Sequence, residues 1–319
     1  MSSSKDKALI ELISVSKKYE NQKVLDNVSF RIEKGCIFGY IGPNGAGKTT
    51  TMKIIVGLVQ DYEGKILFRG KDAFKDRLNL HKSLGYIPQE AGFQQWRTID
   101  HALKTFGQLS GIDSDRLEIR IQEVLKQVGL SEVRHTKIKY LSGGMIQKLR
   151  LVQALLHEPE LLILDEPLSG LDPSTRYQVK NIIKTLSQKG TTIFISSHIL
   201  SDIQDIADEI GILNLGQLVK VGTPAELQKE FQIGNIIQIE VADSSPLCDG
   251  LESLPNVKNV DIINSTMQRV LLKSDIDIDE AITDILGKIT SQKCQLRGFL
   301  LVKPSLEDVY LKYVGGAPS

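Results

Sequence analysis

The sequence predicts an α/β fold with a β-rich amino-terminal part, a mostly parallel core sheet carrying a helical insertion, and a small α+β domain at the carboxyl end. Three observations predict it. A glycine-rich loop, Gly42-Pro43-Asn44-Gly45-Ala46-Gly47-Lys48-Thr49, joins an apolar run to a helix-compatible segment. Two later aliphatic or β-branched runs, at 161–164 and 191–196, each end abruptly in polar residues. Near Phe231 the pattern changes to short alternating segments that carry no chemistry motif.

Residues 9–15 and 28–32 alternate as strands do, and residues 36–41 (Cys-Ile-Phe-Gly-Tyr-Ile) read as a buried strand leading into the glycine loop. Residues 49–58 continue as a helix that opens at about Gly47 and ends near Gly57. Between Gln89 and Leu141 the period becomes helical, with Leu117, Ile121, Val124, Leu125 and Val128 on one face, which predicts a helical subdomain over about 89–160 inside a first domain of residues 1–231. Residues 236–319 are expected to form the second domain. Strands are expected at 235–242, 257–263, 268–273 and 294–303, a short helix at 247–254 and a longer one at 277–290. That β-α-β-β-α-β order fits a ferredoxin-like split unit. After Pro304, Leu306, Val309, Tyr310 and Tyr313 would share one face of a capped terminal helix, most simply a packing face.

Composition excludes several classes. Lys+Arg and Asp+Glu each number 39 in 319 residues, so nothing draws the chain globally toward nucleic acid, and no nucleic-acid partner is expected. Cys36, Cys248 and Cys294 lack metal-ligand or framework spacing and suit a reducing compartment. The polar start, Met1-Ser2-Ser3-Ser4-Lys5-Asp6-Lys7, does not read as a signal peptide, and no run approaches the roughly 18 apolar residues of a membrane span.

The loop at 42–49 is a complete G-x-x-x-x-G-K-[ST] phosphate loop in its required strand–loop–helix context. Its glycines let backbone N–H groups face a triphosphate, Lys48 neutralises the β- and γ-phosphates, the Thr49 hydroxyl can ligate Mg²⁺, and the helix start adds its positive end. Asp165 ends an apolar strand, where an ionised carboxylate is costly unless satisfied; ligation of Mg²⁺ through water explains it better than plain burial. Glu166 follows directly and can polarise a water attacking the γ-phosphate. Adjacent acids are more often a solvated turn, but the flanking Leu-Leu-Ile-Leu and Pro-Leu-Ser-Gly-Leu-Asp-Pro disfavour that here. Read alone, His198 is a satisfied structural histidine, Gln89 a turn residue after Pro88, and Tyr19 a core aromatic near a first strand.

With Leu141-Ser142-Gly143-Gly144-Met145 added, the chain resembles the ATP-binding cassette (ABC) family over roughly residues 9–231. The resemblance implies a P-loop NTPase fold and a Mg²⁺-dependent ATPase whose cofactors are ATP and Mg²⁺. It makes Tyr19 the adenine-stacking aromatic, residues 42–49 the Walker A motif with Thr50 beside it, and Gln89 the glutamine-loop residue touching Mg²⁺ and water. Ser142, Gly143 and Gly144 become the signature motif, Asp165 the Walker B acid, Glu166 the catalytic glutamate, residues 169–173 with Asp172 the D-loop, and His198 the switch histidine. Glu166, His198, Gln89 and Lys48 form the implied catalytic group; Thr49, Gln89 and Asp165 form the implied metal set.

In this family the signature cradle closes on ATP held by a second subunit, which implies a head-to-tail homodimer, a separate integral-membrane permease and a peripheral place at the cytoplasmic face of the membrane. The carboxyl-terminal end (Pro304-Ser305-Leu306-Glu307-Asp308-Val309-Tyr310-Leu311) is similar to the tails of cassettes serving drug, sodium, antibiotic and lipid exporters, which implies export. Two departures stand out: Met145 where glutamine is usual, and His101 where an acid is usual, on a surface that faces the membrane partner in the family. Two alternatives remain open: a non-transport ABC ATPase, and a regulatory cassette in which the second domain senses an effector.

Overall fold

The computed structural model describes residues 8–20, 22–90, 92–230, 236–242, 247–273, 276–292 and 294–302. They fall into two compact units that divide between Pro224 and Ala225, ahead of residues 231–236, where the sequence pattern changes.

The first unit runs β1 (Ala8–Tyr19), β2 (Gln22–Glu33), β3 (Ile37–Ile41), α1 (Lys48–Ile55), β4 (Glu63–Phe68), β5 (Lys71–Asp72), α2 (Arg77–Ser83), β6 (Leu84–Ile87), α3 (Ile99–Leu109), α4 (Ser114–Val128), α5 (Gly143–Leu155), β7 (Leu161–Leu164), α6 (Pro173–Gln188), β8 (Thr192–Ser197), β9 (Glu209–Asn214) and β10 (Gln217–Gly222). An antiparallel sheet has the order β2-β1-β4-β5. A six-stranded sheet has the order β10-β9-β3-β8-β7-β6, parallel except for the β9–β10 hairpin.

Strands β3, β7 and β8 are buried at every position. That is why they read as unbroken apolar or β-branched runs and not as alternation. Phe30 of β2 stacks on Phe38 of β3 with ring centroids 5.1 Å apart, and Tyr40 and Phe194 complete the cluster, tying one sheet to the other. Because β3, β6, β7 and β8 run parallel, their carboxyl ends lie at one edge. The phosphate loop, Gln89, Asp165-Glu166 and His198 each follow one of those ends.

The helical insertion packs as its period predicts. Leu117, Ile121, Val124, Leu125 and Val128 are all buried on α4, and burial of each such side chain is worth about 1.5–3 kcal/mol. Gly129 closes the helix in the left-handed conformation (φ 72°). Arg134 joins the neighbouring helices, its Nε donating to Asp100 Oδ1 at 2.8 Å and its Nη2 to Glu118 Oε2 at 2.8 Å.

The second unit contains α7 (Pro224–Glu230), β11 (Ile236–Val241), β12 (Val257–Asn264), β13 (Met267–Leu272), α8 (Ile278–Ser291) and β14 (Leu296–Val302). Its sheet is antiparallel, with the order β12-β13-β11-β14. Ala281, Ile285 and Ile289 of α8 share a core with Ile237, Ile239, Val241, Val270 and Leu272. Asp277 caps α8 by accepting from the N–H groups of Asp279 and Glu280.

The short helix expected at 247–254 is instead a single 3-10 turn, Leu251–Ser253. Gly250 enters it at φ 67°, and Pro255, which has no N–H to continue a helix, follows its last cap residue. The expected terminal helix lies outside the described residues. No helix among the described residues is long and apolar enough to cross a membrane.

Candidate nucleotide site

A cavity of about 390 Å³ at the carboxyl edge of the parallel sheet is lined by Val24, Asn44, Gly45, Gly47, Lys48, Thr49, Thr50, Gln89 and Glu166. The loop can reach this shape only with glycine at certain points. Gly47 sits at φ 109°, and a β-carbon there would lie 2.8 Å from the Val24 carbonyl oxygen. Gly42 is crowded in the same way by the Leu213 carbonyl. Ala46 is buried, its N–H donating to Pro43 O at 3.1 Å to close the loop.

Lys48 begins α1, and its side chain folds back under the loop. Its ammonium donates to Gly42 O at 2.7 Å and Pro43 O at 3.2 Å, and stands 3.3 Å from Glu166 Oε1, both side chains being 6% exposed. Burial pulls the Lys48 pKa below the ordinary lysine value, while Glu166, then Asp165, oppose that shift. Lys48 thus sits in an enclosed place where its main counter-charge is a carboxylate. The other oxygen of Glu166 is 2.8 Å from His198 Nδ1.

Asp165, 1% exposed, lies behind Glu166 at the end of β7. Its Oδ1 accepts from the Ser196 hydroxyl at 2.8 Å, whereas its Oδ2 is buried with no hydrogen-bond partner among the described residues. The Tyr86 hydroxyl is in the same condition, and its pKa is pushed up to about 12 by burial and secondarily by the Asp165 charge. Glu166 adopts φ +51°, a left-handed conformation that non-glycine residues seldom take, and its N–H donates to Ser196 Oγ at 3.0 Å.

The structure thus gathers the phosphate loop, Gln89, Asp165, Glu166 and His198 at one edge. Asp165 and His198 stand behind and beside Glu166 and, like Gly42, Pro43 and Ala46, are not among the residues that line the cavity; Ser142, Gly143, Gly144, Asp172 and Tyr19 do not line it either. Ser142 and Gly143 are exposed, and the Ser142 hydroxyl caps α5, which begins at Gly143, by accepting from Met145 N at 3.2 Å. Asp172 caps α6 by accepting from Thr175 N at 3.0 Å, and its side-chain hydrogen bond with Thr175 lowers its pKa. Tyr19 is 44% exposed at the end of β1, with Lys17 Nζ 4.6 Å from its ring centroid. Ser196 and Tyr86 escaped the sequence reading as site residues, although the parallel register, with Leu164 opposite Ile195, sets Asp165 beside Ser196 in the next rung.

Comparison with known proteins bears on family and fold. The family model for ABC transporters matches residues 25–169, and the model for the C-terminal domain of DrrA1-3-like ATP-binding proteins matches residues 222–314. The linearmycin resistance ATP-binding protein LnrL of Bacillus subtilis (strain 168) is 32% identical over 311 residues, covering 96% of this chain and 98% of that protein. The bacitracin transport ATP-binding protein BcrA of Bacillus licheniformis is 31% identical over 316 residues, covering 97% and 98%. Among solved structures, an ATP binding subunit of an ABC transporter superposes with a TM-score of 0.63 at 31% identity, over 70% of this chain and 93% of that one. The ADP conformation of the cassette MJ1267 gives 0.63 at 26% identity, over 69% and 92%.

Proposed function

This chain belongs to the ATP-binding subunits of ABC transporters, and from that premise we propose that it is a Mg²⁺-dependent ATPase, peripheral on the cytoplasmic face of the membrane, that powers export of an antibiotic or other drug through a separate permease. The observation that carries the catalytic reading is that Lys48 and His198 both contact the carboxylate of Glu166, which with Lys48 lines the cavity. Lys48 neutralises the β- and γ-phosphates, the 42–49 loop and Thr50 cradle them, and Tyr19 stacks on adenine. Glu166 polarises the attacking water, a contribution of about 10²–10⁴-fold, and His198 orients Glu166 through the 2.8 Å contact.

The residues present fit Mg²⁺. Thr49, Gln89 and Asp165 offer hydroxyl, amide and carboxylate oxygens, a hard donor set, and Asp165 Oδ2 is a buried acceptor without a hydrogen-bond partner. The ion would neutralise charge between the β- and γ-phosphates. Ser142, Gly143 and Gly144 are assigned to ATP held by a second copy in a head-to-tail dimer, with Asp172 at the same interface; the exposure of Ser142 and Gly143 supports this. The drug and antibiotic cargo is carried over from the names of the full-length relatives. The motif-free residues 236–319 are assigned a role in assembly or regulation without chemistry.

The test is purification of the tagged chain from detergent-solubilised membranes, followed by ATPase assay with Mg²⁺ or EDTA. Recovery of one integral-membrane partner with Mg²⁺-dependent turnover supports the proposal. Active protein that brings down no membrane protein would sink the transport part and leave the ATPase part standing.

A further inference from the structure

The acids Asp165 and Glu166 depend on a residue that the motif series does not include. We propose that Ser196 is their positioning residue: it holds Asp165 Oδ1 so that Oδ2 stays free toward the metal, and it fixes the backbone that aims Glu166 into the cavity. The proposal rests on the reading of this pair given under Proposed function.

Ser196 is fully buried, at 0% exposure, in β8 beside the end of β7. Its single oxygen does two jobs, donating to Asp165 Oδ1 at 2.8 Å and accepting from Glu166 N–H at 3.0 Å. Among the described residues no other hydrogen bond to either Asp165 carboxylate oxygen is formed. With Oδ1 held, rotation of the carboxyl group is blocked and Oδ2 has a defined direction. The second bond acts on a residue whose backbone sits at φ +51° and whose carbonyl accepts from Ser169 N at 3.2 Å in the turn that follows. A hydroxyl at this position gives and accepts from one atom. Alanine abolishes both bonds, while threonine keeps both and suits a strand. Ser196 touches neither the phosphate loop nor Lys48 through any hydrogen bond described, so its loss reaches metal-free nucleotide binding only through Glu166, whose displacement from Lys48 does not weaken it.

The experiment uses the full chain with Ser196→Ala, Ser196→Thr and Glu166→Gln, each checked for folding by thermal melting. Steady-state ATPase gives kcat and KM. Binding of a fluorescent ATP analogue is titrated in EDTA and again with rising Mg²⁺. For Ser196→Ala, kcat should fall about 10–100-fold, the loss expected of a hydrogen bond to a charged group. The Mg²⁺ needed for half-maximal tightening of analogue binding should rise several-fold, while affinity in EDTA is not weakened. Ser196→Thr should recover kcat to within about threefold. Should Ser196→Ala fail to fold, Ser196→Cys, a weaker donor of similar size, takes its place with an intermediate loss expected.

A folded Ser196→Ala with unchanged kcat and Mg²⁺ requirement overturns the proposal. So does a threonine variant as impaired as alanine, which would assign the loss to packing and not to the hydroxyl. Glu166→Gln separates the two levels. If it turns over like wild type, the reading of the acid pair fails and takes this proposal with it. If it is inactive while Ser196→Ala is normal, only the positioning role fails.

Discussion

Replacing Glu166 by glutamine preserves volume and removes one charge from a place where three groups meet. In the structure Lys48 Nζ is 3.3 Å from Glu166 Oε1, with both side chains almost fully enclosed. At that separation and an effective dielectric of about 20, the gross attraction is about 5 kcal/mol. Taking both groups out of water cancels most of it, leaving a net of the order of 1 kcal/mol. ATP must draw Lys48 away from this partner, so Glu166 competes with the triphosphate for the ammonium. Glu166→Gln should therefore bind ATP about 5-fold more tightly, since 1 kcal/mol is worth that factor. Its turnover should fall about 10²–10⁴-fold, because an amide cannot accept the proton of the attacking water. Equilibrium titration with a fluorescent ATP analogue and a steady-state phosphate-release assay measure the two quantities on one preparation. Weaker binding in the variant would refute the competition argument, and turnover within about threefold of wild type would remove Glu166 from the mechanism.

Two further outcomes follow from other parts of the molecule. In a Glu166→Gln background ATP should drive dimerisation, and adding Ser142→Arg should block it by placing bulk and positive charge in the exposed cradle; light scattering that shows the double variant dimerising normally would count against a shared site. Arg134→Ala should lower stability by about 1–3 kcal/mol, discounted for the partial exposure of Glu118, and Tm by about 3–8 °C. The pH dependence of that loss has a definite sign. Burial raises the Asp100 pKa, but hydrogen bonds from Arg134 and Lys104 outweigh it and hold the carboxyl below its ordinary range; the Arg134 hydrogen bond is the largest influence lowering Glu118. Their stabilisation is thus fully present above the unfolded carboxylate value of about 4 and is lost as pH falls through the folded values, so the gap between variant and wild type should close below about pH 4. A gap of constant size down to pH 3, measured by thermal melting, would contradict this.

The parts of the molecule that were legible in the sequence are those specified locally. The phosphate loop is contiguous, the buried parallel strands announce themselves as short apolar runs, and the α4 face follows its 3.6-residue period. Asp165 and Glu166 could be named because they directly follow such a run, whereas His198, set off by Ser197 from the run at 191–196, takes its role from the family resemblance. What could not be read depends on register between distant segments. Ser196 meets Asp165 only because β7 and β8 pair with Leu164 opposite Ile195, and nothing in either strand alone states that offset. The Tyr86 hydroxyl reaches the neighbourhood of Asp165 through a third strand. The segment 247–254 forms a single turn and not the expected short helix for a local reason: Gly250 in the left-handed conformation and Pro255 leave room for no more.

The left-handed backbone at Glu166 sets fold preference and chemistry against each other at a single residue. By its torsion angle alone the site would suit glycine, and relief of such strain is worth about 1 kcal/mol or more. Glycine here would relieve the torsion but would also take away the carboxylate that faces the enclosed Lys48 ammonium at 3.3 Å, so selection for heat tolerance alone would weigh those two effects and never the chemistry. Engineering of this scaffold for robustness therefore needs a catalytic read-out at every round.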